Sequence, residues 1–510
     1  MLEILGDFSD YLVYEENRPL IFTQAVFWVF FGGVIFIYQF IYRYNNIRNI
    51  FLMLFSMYFY YLSSGYYFTL LIFSTFVDYY LGKFIYYSAE PSKRKLYVTL
   101  SVLTNLGVLG YFKYAYFFTD TFNTIAGTSI ETTNYLALLL NNLLNLSIDV
   151  SRIFLPVGIS FYTFQTISYS VDIYRGRLKP VNNILDFAFY VSFFPQLVAG
   201  PIVRATDFVP QIYKEYKISN EDFGRGIFLI ISGLVKKIFI SDYISVNFVD
   251  RVFGNPEGFT GFENLMAVYG YSLQIYCDFS GYTDIAIGVA LLLGFRLPLN
   301  FNSPYKAVNI TDFWRRWHIS LSSWLRDYLY ISMGGNRKGK SRTYMHLMIT
   351  MLLGGLWHGA HLRFIVWGGL HGIALAFHKI WMEIFKPEND KDESFVSKLI
   401  SGIITFHFVA FCWIFFRADT FELANKMILQ IYHSFRPEVI YEALVGYRNV
   451  FLIMAFGYIL HWLPTQWKTF STETFIKTPD FAKATIILAV MLAIFQVKSS
   501  ALQPFIYFQF

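Results

Sequence analysis

Apolar runs of about twenty residues recur along the whole chain, and that is the length an α-helix needs to cross the hydrocarbon core of a bilayer. They occupy residues 21–42, 49–63, 65–87, 96–118, 153–174, 184–200, 224–249, 265–294, 344–360, 363–385, 400–417, 448–463 and 481–500, with a shorter one at 135–148. They predict an all-α polytopic membrane protein with about 11 to 13 membrane helices, some of them short or re-entrant. Composition agrees, with 55% hydrophobic and 15% charged residues and a mean hydropathy of +0.42. A soluble chain carries about 25% charged residues. Spanning helices pack as one cooperative unit, so the length of 510 residues does not imply several soluble domains.

The net charge of +6 does not point to nucleic acid. The basic residues sit in short clusters between apolar runs, as in cytoplasmic loops, and not on one solvated face. Membrane lipid is the expected surrounding, and no nucleic-acid partner is expected. The acidic start (Glu3, Asp7, Asp10, Glu15, Glu16) is the opposite of a basic leader, so no cleavable signal is expected and the start belongs outside. Arg43, Arg48 and Lys93-Arg94-Lys95 then fall on the cytoplasmic side, and the loop 119–134, without lysine or arginine, falls outside. Arg175, Arg177, Lys179, Lys236, Lys237 and the run Arg337 to Arg342 are also expected to face the cytoplasm. Cys277 and Cys412 lie in apolar stretches and read as buried thiols.

Simple alternation fails at 295–343, which is too polar to span. Pro298, Asn300, Asn302, Ser303 and Pro304 break any helix. Thr311-Asp312 can cap a new one, and Phe313 to Tyr328 reads as one amphipathic helix, with Trp314, Trp317, Leu321, Trp324, Leu325 and Tyr328 recurring at three and four. Arginine and tryptophan together favour the membrane interface. Gly334-Gly335-Asn336 predicts a turn.

Two Trp-His pairs stand out, Trp317-His318 and Trp357-His358. His318 has Ser322 at i+4, which puts the two on one helix face. It reads either as an interfacial histidine bonded to a backbone carbonyl or as part of a site. His358 ends an apolar span, where an ionisable side chain is expensive. Gly354, Gly355 and Gly359 clear space around it for a neighbouring helix or a substrate. A neutral imidazole there can serve as a general base or as an inter-helix hydrogen bond.

His358 and His361 are spaced i, i+3, but no acidic partner completes a metal motif, so no metal is expected. His371 and His378 read as polar groups of a bundle interior, and His346, His407, His433 and His461 have no constellation around them. Phosphate-loop, dinucleotide and nucleophile-elbow patterns are absent. Asp278 and Asp284 lie inside an apolar helix and are expected to pair with Arg296, Arg315 or Arg316, with a place on a substrate path as the alternative.

Five segments in order resemble the membrane-bound O-acyltransferase family, in particular its bacterial alginate O-acetylation group. They are Pro195 to Ile202, Tyr276 to Tyr282, Phe313 to Tyr330, Gly334 to Arg337 and Leu356 to Gly359, within roughly residues 150–380. The resemblance implies a ring of helices around a thinned centre crossed by a tunnel. It places both functional histidines, His318 and His358, in that tunnel, with donor entering from the cytoplasm and acceptor from the other side. Arg315, Arg316, Trp317, Ser322, Trp357 and Asn336 are expected to contact substrate, with the arginines meeting donor phosphates near the cytoplasmic face. The terminal Phe505 to Phe510 resembles the aromatic hexapeptide that ends peptidoglycan O-acetyltransferase A proteins, and the match puts an acyl-carrier role on Tyr507.

The expectation is therefore an O-acetyltransferase of the bacterial cytoplasmic membrane with no bound cofactor. It takes acetyl from a cytoplasmic thioester, acetyl-CoA, and passes it to an extracytoplasmic SGNH-type transferase for O-acetylation of peptidoglycan. Alginate or another exopolysaccharide is the alternative acceptor. A transporter that flips a lipid-linked sugar and a scaffold for the outer enzyme are the rival classes. The expected organisation is N-terminal membrane helices over 1–150, a catalytic core over 151–385, and C-terminal membrane helices over 386–510.

Overall fold

A computed structural model describes residues 12–15, 19–145, 149–198, 200–385 and 394–497. The described residues are largely helical and contain no strand. Among the described residues, three stretches are long and apolar enough to cross a bilayer: Asn45–Tyr87, Gly261–Leu292 and Phe395–Arg417. Pro437–Gly446 and Arg448–Trp462, bent by 88° at their junction, could form a fourth. The other expected segments are helical, but shorter, as at Ala25–Ile41, or more polar. Tyr507 and the terminal hexapeptide lie outside the described residues.

The helices divide into two compact units. The described residues of the first are 12–15, 19–145, 149–198, 202–215 and 359–361. It holds α1 (Ala25–Ile41), α2 (Asn45–Ser64), α3 (Phe68–Tyr87), α4 (Pro91–Ala126), α5 (Ile159–Tyr174) and α6 (Ile184–Ser192). The run predicted to continue to residue 200 breaks at Phe193, because Pro195 cannot extend a helix through its missing N–H. Arg48, expected in a loop, lies within α2 and is buried. Its guanidinium donates to the carbonyls of Ile212 at 2.7 Å and Lys214 at 3.1 Å. The buried Asp78 of α3 accepts from Ser101 at 2.5 Å and Asn105 at 2.8 Å, so this carboxyl costs less than a bare one would.

The described residues of the second unit are 200–201, 216–358, 362–385 and 394–497. It is built on α7 (Asn220–Leu234) against α8 (Gly261–Leu292). The two backbones nearly touch: a Cβ on Gly281 would lie 2.7 Å from the Gly233 carbonyl oxygen, and one on Gly288 2.6 Å from that of Gly226. Only glycine fits such a crossing. Beyond Leu234 the chain continues as a π-helical stretch, Val235–Asp242, that carries Lys236 and Lys237. Lys237 is buried between Asp278 at 2.5 Å and Asp242 at 2.7 Å, and Lys236 meets Asp284 at 2.5 Å. The close helix crossing brings the acids of α8 within reach of lysine side chains, so Asp278 and Asp284 pair with lysines and not with the arginines expected. Arg296 pairs with Asp222 and Arg316 with Asp312.

The polar stretch breaks once, at Trp317-His318, into α9 (Ile310–Arg316) and α10 (Ile319–Trp324), the latter running on as a π-helical stretch over Leu325–Tyr330, in place of one amphipathic helix. The cap of α9 is Asn309, whose side chain accepts from the Asp312 amide at 2.8 Å, two residues before the Thr311 expected to cap. The Gly334-Gly335 turn is present, with φ of 120° and 54°. Next come α11 (Lys340–His358), α12 (Leu362–Phe385) and α13 (Phe395–Arg417). A Cβ on Gly355 would lie 3.2 Å from the Cα of Gly368, so α11 and α12 also cross backbone to backbone.

Candidate functional site

His318 occupies the joint between α9 and α10 in the left-handed conformation, with φ 42° and ψ 57°. A non-glycine residue there costs about 1 kcal/mol or more and persists only where its surroundings hold it. Asn300 supplies the hold. Its carbonyl accepts from the Ile319 amide at 2.9 Å, and its side-chain oxygen accepts from the Ser320 amide at 3.1 Å and hydroxyl at 2.9 Å. The Arg316 carbonyl accepts from the Asn302 amide at 2.9 Å. The Pro-Asn segment that follows α8 therefore clamps the histidine turn.

The turn drives the His318 ring into the second unit, fully buried. Its neighbours are Phe279 at 4.6 Å between ring centroids, Trp357 at 6.0 Å and His358 at 6.5 Å. Burial pushes the His318 pKa down to about 3, so its ring is neutral at pH 7. His358 is the last residue of α11, 3% exposed, and packs on Trp357 at 5.0 Å, Trp367 at 5.1 Å and Phe416 at 5.3 Å. The two histidines thus face one another inside an aromatic enclosure. Their ring centroids are 6.5 Å apart, with the ring planes tilted by 53°.

Among the other expected site residues, Trp317 and Trp357 belong to this enclosure. Trp317 is buried and packs on Phe301 at 5.1 Å and Trp413 at 5.0 Å. Ser322 lies in α10, whose first turn His318 precedes in the left-handed conformation, and the Ser322 amide donates to the His318 carbonyl at 2.9 Å. Its hydroxyl donates to the Trp317 carbonyl at 3.1 Å. Arg315 is exposed, whereas the Arg316 Nε is held by the Asp312 carboxylate at 2.9 Å. Asn336 is exposed and outside the enclosure, with its side-chain oxygen accepting from Tyr330 and, at 3.0 Å, from Lys379. His378 bonds to Thr311 at 2.9 Å and lines a groove of 550 Å³ between α12 and α13.

Sequence reading missed Asn300 as a clamp, together with Trp367, Trp413 and Phe416 as walls. Trp367 had a signal: an aromatic next to Gly368-Gly369 on a helix that crosses another through glycines. Trp413 and Phe416 sit in a uniformly apolar run, and nothing local distinguishes them.

The profile of the membrane-bound O-acyltransferase family (MBOAT) matches residues 20–418, a span that contains the whole enclosure. The chain belongs to this family. Among membrane-bound O-acyltransferase relatives, it is 36% identical to the probable alginate O-acetylase AlgI of Pseudomonas putida, over 82% of this chain and 85% of that one. It is equally 36% identical to a peptidoglycan O-acetyltransferase of Helicobacter pylori, over 74% of this chain and 73% of that one. It is 43% identical to the probable alginate O-acetylase AlgI of Pseudomonas aeruginosa, over 65% of this chain. The matched stretch spans 60% of the Pseudomonas syringae AlgI and 59% of the Pseudomonas aeruginosa one. As in the family's enzymes, the chain is a multi-helix membrane protein.

Proposed function

We propose that this chain transfers an acetyl group from a thioester to a hydroxyl acceptor between His318 and His358. The observation that carries the reading is the facing pair itself: two buried imidazoles 6.5 Å apart inside a wall of aromatic rings.

A hydroxyl is a poor nucleophile until its proton leaves. His358 takes that proton as the hydroxyl oxygen bonds to the thioester carbonyl carbon. His318, neutral at pH 7, donates an N–H hydrogen bond to the carbonyl oxygen as negative charge builds there. A neutral imidazole suits this part, since it donates without needing to ionise. The C–S bond then breaks, and the imidazolium of His358 returns its proton to the departing thiolate. The buried walls exclude water, which would otherwise hydrolyse the thioester.

Acetyl-CoA is the proposed donor, entering from the cytoplasm in a bacterial cytoplasmic membrane, with Arg315 toward its phosphates. Tyr507 is the proposed first acceptor, relaying acetyl to an extracytoplasmic SGNH-type transferase. Peptidoglycan is the proposed polymer, supported by the aromatic carboxyl terminus and by the Helicobacter pylori relative; the AlgI relatives keep alginate as the alternative.

The test is acetyl ester on the wall polymer of cells that carry His358→Ala in place of the native chain. Ester should vanish while the protein still inserts. Unchanged ester would sink the reading. With labelled acetyl-CoA, Tyr507→Phe should abolish label at the carboxyl-terminal peptide, and equal labelling would rule out the relay.

A further inference from the structure

A third histidine lies one ring beyond His358. His371, on α12, is fully buried. Its ring is enclosed by Trp367 at 4.8 Å, Trp314 at 5.3 Å, Phe408 at 5.7 Å and Phe313 at 6.0 Å. Trp367 in turn contacts His358 at 5.1 Å. Among the described residues, neither ring nitrogen of His371 has a hydrogen-bond partner in the protein, and neither do the buried indole N–H groups of Trp314 and Trp367.

Unmet polar atoms in an aromatic core are destabilising, and most buried polar atoms have a partner in protein, water or ligand. Phenylalanine at 371 would keep the ring packing and remove two of them. The chain keeps histidine there. A neutral imidazole offers one donor and one acceptor, and each indole offers one donor. The set is therefore donor-rich, uncharged and flat-walled. It matches an uncharged group with acceptor oxygens, such as an amide or ester carbonyl, and would be a poor place for an anion or a cation.

We infer that His371, with Trp314 and Trp367, forms a hydrogen-bonding subsite beside His358 for an uncharged, carbonyl-bearing part of the acyl-transfer substrate. The inference rests on the acyl-transfer reading above. A histidine that only fills the core behaves oppositely to one that binds substrate. Its replacement by phenylalanine would relieve the unmet nitrogens and leave activity alone.

The test compares His371→Phe, His371→Gln and His358→Ala in the full-length chain, reading polymer-bound acetyl ester in cells and thermal unfolding of the purified protein. His371→Phe should unfold at the wild-type temperature or higher yet lower ester about tenfold or more, with partial recovery in His371→Gln, which restores a donor and an acceptor. Wild-type ester in His371→Phe with ester lost in His358→Ala overturns the subsite and leaves acyl transfer standing. Loss of fold in both His371 variants assigns the ring a structural role and also overturns the subsite. Ester retained in His358→Ala removes the acyl-transfer reading and this one together.

Discussion

Asn300 and Ser320 are joined twice: the Asn300 side-chain oxygen accepts from the Ser320 amide at 3.1 Å and from its hydroxyl at 2.9 Å. The pair straddles His318 and holds its left-handed turn. Asn300→Ala should cost about 1–3 kcal/mol, the loss of buried hydrogen bonds. It should slow transfer by more than that loss of stability explains, on the order of 100-fold, because a misplaced reacting group loses its orientation. Thermal unfolding and initial rates on the same preparation separate the two effects. An equal rate would mean that the turn holds without Asn300.

Substitutions at His318 should grade by hydrogen-bonding capacity. His318→Asn keeps an N–H donor and should retain more activity than His318→Ala, by about tenfold. Ester content in cells expressing matched amounts of each variant checks this. Equal loss in the two variants would argue against a donor role.

The pH dependence carries a sign. His318 has its folded pKa lowered by burial to about 3, from an ordinary 6.5. The unfolded chain therefore binds a proton that the folded chain refuses, between those values. The contribution is fully present above pH 6.5 and is lost as pH falls toward 3. Thermal stability should drop through this window, and the drop should be smaller in His318→Gln. The same slope in both proteins would place the titrating group elsewhere.

Lys237 lies between Asp278 and Asp242 with almost no exposure. Lys237→Met leaves buried carboxylates without their cation and should destabilise by about 3–5 kcal/mol. Adding Asp278→Leu to it should restore part of the loss, because matched apolar side chains remove the stranded charge. Unfolding of the single and double variants measures the coupling, and strictly additive losses would contradict it.

The helices were legible because burial in lipid demands apolar length, and that signal is continuous in the sequence. The Trp-His pairs were legible as ionisable groups beside glycines and aromatics. The break at His318 was not, since the three-and-four recurrence of Trp314, Trp317 and Leu321 runs on through it. What breaks the helix is Asn300, eighteen residues earlier, acting through tertiary hydrogen bonds. The lysine partners of Asp278 and Asp284 were hidden for a related reason: only the glycine-lined crossing of α7 and α8 brings Lys236 and Lys237 to them. His371 looked like any polar group inside a bundle, because its neighbours come from three separate helices.

The meeting of Gly355 and Gly368 has a mechanical consequence. Two helices whose backbones touch there cannot slide along each other without collision, so α11 and α12 respond to the surrounding lipid as one stiff plank. A thicker or thinner bilayer can tilt that plank. It cannot change how far His358, three residues past the contact, projects from it. The histidine's depth is then gauged against its own neighbour and not against the lipid, and stays fixed while the thickness of the membrane around it changes.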